Sequence, residues 1–317
     1  MLFALLDYLA RHARHVLLWG LALGILGGLF APQMALTLQW TVAPIVATLL
    51  FLAVLRLGPE GVRAGLHGWR QGLAVVLGLQ LVVPVLVVLA ARGWGLEGTL
   101  LVGIILVLSA APITGSPNIA IMSGASGAVA LRQLVLGTAL LPLTTLPVFM
   151  LMPDLGAPAE VMAIVARLLL LIAAAAALGL WLRARGIVRG DARSLRMIDG
   201  STSLLLALIV IALMGAVGPA LLSSLRAWGT LALVLALGFG LQLGLLLALR
   251  RHLPLPELAA LSQAAGNRNI ALFLGVLPLG MASDLFLFIG LYQIPMYLTP
   301  VVMGWVYLRM GLNRSPG

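Results

Sequence analysis

The charges of this chain are spaced so that they cut 317 residues into apolar runs close to 20 residues long, and the runs show no period-2 alternation. An α-helix rises about 1.5 Å per residue, so a run of about 20 spans the hydrocarbon core of a bilayer, whereas a membrane strand alternates apolar and polar positions. The chain therefore reads as an all-α integral membrane protein. Its composition agrees: at 62% hydrophobic and 9% charged residues, no soluble domain of this size has enough polar surface to cover itself. The absence of cysteine excludes disulfides and thiolate metal sites.

The formal net charge of +10 comes from 19 basic residues that are all arginine, nearly all of them between apolar runs. That distribution sets membrane topology; it does not predict nucleic-acid binding. After an amphipathic lead-in over 1–14, spans are expected at about 15–31, 35–55, 71–91, from Thr99 to Ala130 with an interruption, 133–152, 160–182, 200–217, 229–249, from Glu257 to Gly280 with an interruption, and 284–308. Residues 56–70 read as a connection. No cleaved signal peptide is expected, because the first run continues to membrane length without a processing site. With the N-terminus inside, Arg11, Arg14, Arg56, Arg63, Arg70, Arg132, the five arginines over 183–196, Arg250, Arg251, Arg309 and Arg314 fall on the cytoplasmic side, and only Arg92 and Arg226 outside. Both termini are expected in the cytoplasm of a cell with an inner (plasma) membrane.

Two runs are broken halfway, one by Thr114-Gly115-Ser116-Pro117-Asn118 and the other by Gly266-Asn267-Arg268-Asn269. Both breaks lead into the same tripeptide, Asn118-Ile119-Ala120 and Asn269-Ile270-Ala271. Backbone that leaves a helix inside hydrocarbon has no water to satisfy it, so it persists only where it lines a cavity or meets another break. Gly78-Leu79-Gln80-Leu81 recurs as Gly240-Leu241-Gln242-Leu243, and the Pro142/Pro147 spacing recurs as Pro295/Pro300. These matches in the same order predict two five-helix repeats, 1–156 and 157–317. An odd number of spans per repeat makes them inverted, with discontinuous helices 4 and 9 crossing at the site. Gly20, Gly24 and Gly28 make one smooth helical stripe for close packing.

Arg268 is the sharpest single signal, since a guanidinium near the bilayer centre costs at least about 2.5–3.5 kcal/mol and is kept only with partners. It either holds a substrate carboxylate, replaces a bound cation, or is satisfied by carbonyls of the opposing break. Arg167 reads as structural, reaching to the outer interface. Asn118, Asn267 and Asn269 offer amides beside half-helix ends, and Gln80 and Gln242 lie mid-span. The hydroxyls of Thr114 and Ser116, with Asn118, are the candidates for a weak sodium site, though helix capping explains them equally well. His12, His15, His67 and His252 all fall in flanks or loops, and no nucleophile triad, HExxH or phosphate-binding loop occurs. No enzyme activity or cofactor is expected, and any transport must draw on a gradient.

At its breaks the sequence resembles the bile acid:sodium symporter family within the bile acid, auxin and arsenite carrier superfamily, as a divergent member. The resemblance rests on ten spans in two inverted repeats, Gln80, Ser116-Pro117-Asn118 and Gly266-Asn267-Arg268-Asn269. It implies a panel domain of helices 1, 2, 6 and 7, and a core domain of helices 3–5 and 8–10. Substrate would sit beside the crossing, and core would shift against panel. Sodium-coupled members carry a Glu and a Gln where this chain has Ala264 and Arg268, and a sodium-set Ser is replaced by Pro117. The resemblance therefore implies a damaged sodium set, and a missing Cys sets the arsenite branch aside. The expectation is a secondary transporter of a small organic anion working by alternating access in the lipid bilayer, with substrate contacts from Arg268, Asn269, Asn267, Asn118, Ser116 and Gln80. The alternatives are a uniporter or channel-like carrier and a non-transporting membrane sensor of the same fold.

Overall fold

The computed structural model describes residues 2–312, with the backbone alone at Leu2, Ala13, Arg14, Leu17, Leu18, Pro32, Met34, Ala35, Leu36, Leu279, Ser283 and Asp284. Arg314 lies outside the described residues. The described chain is helical throughout and contains no strand. Seven of its helices are long and apolar enough to cross a membrane, which makes it a multi-pass α-helical membrane protein. It divides into two compact units.

The first unit comprises the described residues of Met1–Val62, Arg167–Gly229 and Ala271–Leu291. It holds α1 (Leu2–Arg11), α2 (Ala13–Phe30), α3 (Pro32–Gln39) and most of α4 (Val42–Gly65). Most of α9 (Pro158–Ala184) and α10 (Ala192–Ser223) belong to it as well. The stripe of Gly20, Gly24 and Gly28 on α2 lies against Ala207, Ile211 and Gly215 of α10. A Cβ at Gly28 would stand 2.0 Å from the Gly215 carbonyl oxygen, so only glycine lets these two backbones meet. Helix α1 docks on α10 in the same way, where Gly200 faces the Leu6 backbone. Its polar side is tied down by Asp7, which pairs with Arg11 at 2.6 Å and with Arg196 at 3.6 Å.

The expected connection over 56–70 is corrected here, because α4 continues to Gly65. Gly58, at φ 61°, breaks the helix for one residue, and Pro59 supplies the fixed φ that restarts it. Arg56 bonds Asp199 within the same unit. The expected span over 200–217 is likewise longer, since Asp191 caps α10 by accepting the Ser194 N–H at 2.7 Å.

The second unit comprises Arg63–Ala166, Thr230–Ile270 and the described residues of Tyr292–Gly317. It contains α5 (Trp69–Gly93), α6 (Thr99–Ser109), α7 (Ser116–Met122), α8 (Gly127–Met150), most of α11 (Leu225–Leu249) and α12 (Leu255–Gly266). Helix α13 (Ala271–Leu274) follows Ile270 in the first unit, and the latter part of α14 (Leu279–Arg309) returns to the second. The core of the second unit joins Ala120, Val129, Ala130, Leu246, Ala259, Ala260 and Tyr307, a set rich in small side chains that bring helices close.

Both half-helices after the breaks are shorter than the expected continuations to Ala130 and Gly280. Helix α7 stops at Met122 because Gly124 turns left-handed at φ 76°, and Ser126 then caps α8 by accepting the Val129 N–H. After the second break, α13 is a single turn that ends before Gly275 and Pro278, the latter opening α14.

Candidate functional site

The two interrupted segments meet inside the second unit. Backbone of residues 111–113 lies antiparallel to residues 267–269, with Pro112 bridged to Arg268. The Ile113 N–H donates to the Asn267 carbonyl at 3.0 Å, and the Asn269 N–H donates to the Ala111 carbonyl at 2.7 Å. Each break thereby satisfies backbone groups that the other leaves without a helical partner.

Arg268 completes this pairing with its side chain. It is 2% exposed, its Nε donates to the Ala265 carbonyl at 2.8 Å, and its Nη1 donates to the Ala110 carbonyl at 2.8 Å. Ala265 lies in the last turn of the helix before its own break, and Ala110 follows the helix before the other, so both are helix-terminal carbonyls of the kind that attract a cation. Among the described residues no carboxylate forms an ion pair with Arg268. Of the three roles weighed for it, satisfaction by the opposing carbonyls is the one this geometry displays.

Neighbouring side chains continue the network. Tyr292 donates to the Gly266 carbonyl at 2.6 Å. Thr299 donates to Asn267 Oδ1 at 2.9 Å and accepts from Gln242 Nε2 at 3.0 Å. Gly266 is pressed against α11, where an added Cβ would stand 2.3 Å from the Gly238 carbonyl oxygen and 2.5 Å from Gln242 Cγ. On the other side of the pairing, Gln80 occupies a π-helical turn, Gly78–Val82, within α5. Such turns widen a helix locally and recur at functional positions. Its Nε2 reaches the Gly137 carbonyl at 3.4 Å, beside the Pro112 ring.

Buried polar atoms remain open around this framework. Gln80 Oε1, Ser109 Oγ, Ser116 Oγ, Gln133 Nε2, Gln242 Oε1 and Asn267 Nδ2 have no hydrogen-bond partner although their side chains are almost fully buried. A buried polar atom costs free energy until it is paired, so each is a position at which water or a ligand group is stabilised.

The structure groups the sequence candidates unequally. Gln80, Ser116, Asn267 and Arg268 are buried in the second unit, Asn269 is half-buried, and Asn118 is exposed on α7. Ser116 and Asn118, two residues apart on one helix, point to different sides. Thr114 is half-buried, and there is no carboxylate among Thr114, Ser116 and Asn118. Arg167 is exposed and reaches the Val276 carbonyl at 3.5 Å, a structural contact. Thr299, Tyr292, Ser109 and Gln133 went unremarked in the sequence. Only Thr299 carried a hint, standing beside one of the repeated prolines.

Compared with models of protein families and with curated proteins, the sequence matches none of them.

Proposed function

We propose that the protein is a secondary transporter of a small organic anion, built as ten crossings in two inverted five-helix repeats and akin to the bile acid:sodium symporters. The observation that carries the reading is the antiparallel meeting of two broken helices, which puts half-helix ends, a buried guanidinium and open amides at one place in an apolar unit. The ten crossings are the seven long helices, α2, and the two broken segments, α6 with α7 and α12 with α13. The first unit draws chiefly on the segments expected of a panel and the second on those expected of a core, while 271–291 belongs to the first. On this reading both termini are cytoplasmic, the membrane is the inner (plasma) membrane, and there is no catalytic step.

Arg268 acts here as a fixed internal cation. Its guanidinium holds the two breaks together and lends positive potential to the half-helix ends, where Asn269, Asn118 and the open Nδ2 of Asn267 donate to the anion, while the open Oε1 of Gln80 accepts from a water or a substrate hydroxyl. Because the protein has no cysteine, single-cysteine variants can be labelled without background. In oriented membrane vesicles, the Asn118→Cys and Asn269→Cys variants should change their labelling by an impermeant maleimide when a transported anion is added. Uptake of radiolabelled organic anions by proteoliposomes, with taurocholate tried first, should be saturable, and Arg268→Ala should weaken binding by about 1.5–3 kcal/mol, the attraction of two unit charges roughly 6–11 Å apart at an effective dielectric near 20. Absence of uptake across a panel of organic anions, with cysteine labelling unchanged by all of them, would favour the non-transporting sensor.

A further inference from the structure

Helix α11 carries two stripes of residues at four-residue spacing, on different sides of the helix. Val234, Gly238, Gln242 and Leu246 are all buried. Gly238 bears on Pro295, and Gln242 on Gly266. The other stripe, Ala232, Ala236, Gly240, Gly244 and Ala248, is exposed along its whole length. A Cβ added at Gly240 or Gly244 would meet nothing within 4 Å. From Ala236 to Ala248 this stripe floors a groove whose wall includes Leu79 and Val83 of α5. The lining is almost wholly apolar, and both helices are of membrane-crossing length and hydropathy.

The groove ends in charge. Arg250, Arg251 and His252 form the turn that closes α11, and all three are exposed. Arg250 and Arg251 follow two and three residues after Ala248, the last residue of α11 that lines the groove. An apolar channel that ends at paired arginines is complementary to an amphiphile with an apolar tail and an anionic head.

The charge at the end of the groove decides between a lipid chain and a protein helix as its occupant. A second copy packed along the same stripe in the same membrane orientation would bring its own Arg250 and Arg251 to this end, where like charges repel, whereas an anionic head attached to a hydrocarbon chain is attracted by both. We propose that the groove between α5 and α11 is a binding site for an anionic phospholipid, one acyl chain lying along Ala236–Ala248 and the phosphate meeting Arg250 and Arg251. The lipid is a bound component of the protein distinct from any transported anion, and the proposal does not depend on the transport reading.

The test uses the full chain in nanodiscs of equal phosphatidylglycerol and phosphatidylcholine, released into the gas phase for native mass spectrometry of retained lipid. The wild type should retain phosphatidylglycerol over phosphatidylcholine by roughly tenfold, in line with two arginines acting on one phosphate. The Arg250→Ala/Arg251→Ala variant should bring that ratio near one while still carrying lipid. The Gly240→Leu/Gly244→Leu variant, which fills the groove from positions with open space, should lose the tightly held lipid of either kind. Equal retention of the two lipids by the wild type would overturn the proposal, as would a glycine variant that keeps its lipid. A disulfide-linked dimer of the Gly240→Cys variant in membranes, with no retained lipid, would overturn it in favour of a second copy.

Discussion

Glycine 266 shows how little room the meeting of the two breaks leaves. Its missing Cβ lets α12 come up against the Gly238 carbonyl, and an alanine there would strike that backbone oxygen, which cannot rotate away, as well as the Gln242 side chain. The Gly266→Ala variant should therefore lose about 1–3 kcal/mol of stability, the usual range for overpacking, read as a lower unfolding temperature in detergent. Thr299 is a second sensitive residue, because its one hydroxyl joins Asn267 and Gln242, which come from different segments. Thr299→Val keeps the shape and removes the hydroxyl. It should cost about 1–3 kcal/mol by leaving buried amide groups without partners. A thermal unfolding curve unchanged by Thr299→Val would show that water takes over the bond.

Among the elements, α10 offers a pH-dependent end that lies outside the membrane-spanning stretch. The Ser194 backbone N–H, and then its side chain, hold the Asp191 carboxyl below its ordinary range, with Arg189 and Arg193 adding to the effect. A carboxylate with a lowered folded value stabilises the helix start above the ordinary aspartate range, and the contribution fades as pH falls through the folded value. Amide protection over residues 192–195, taken relative to the intrinsic rate at each pH, should accordingly fall on acidification, and Asp191→Ala should remove that pH dependence. Exchange that follows the intrinsic pH profile in the wild type would refute the cap's contribution. The π turn of α5 is an element-scale feature of another kind: it presents Gln80 to the Gly137 carbonyl while leaving Oε1 open.

For the whole molecule, the proposed transport cycle raises the question of its driving ion. Sodium is held by several oxygen ligands, usually including a carboxylate. Here Arg268 takes up the Ala110 and Ala265 carbonyls itself, and two unit charges about 4 Å apart repel by about 4 kcal/mol at an effective dielectric near 20. Uptake should depend little on sodium, leaving a proton gradient or facilitated diffusion as the drive. The measurement is uptake by proteoliposomes with sodium replaced by choline at constant ionic strength. A fall of roughly tenfold or more would mean that a sodium site forms from ligands other than those around Arg268.

The sequence by itself determined the helical membrane character, because run length and hydropathy act locally and need no partner. It also located both breaks, since Gly, Pro and Asn inside apolar runs disrupt a helix wherever they occur. The packing role of Gly20, Gly24 and Gly28 was legible for the same reason, being a property of one helix face. The tertiary structure alone decided what Arg268 touches: its carbonyl partners are main-chain atoms, and a main-chain carbonyl carries no mark in the sequence. Helix ends shifted as well, as with α4 running on to Gly65 through a one-residue kink at Gly58, whose left-handed backbone leaves no room for a Cβ beside the Arg183 side chain. The open amides of Gln133 and Asn267 and the π turn at Gln80 arise only when segments distant in the chain are packed together, since burial and missing partners are properties of neighbours and not of residue type.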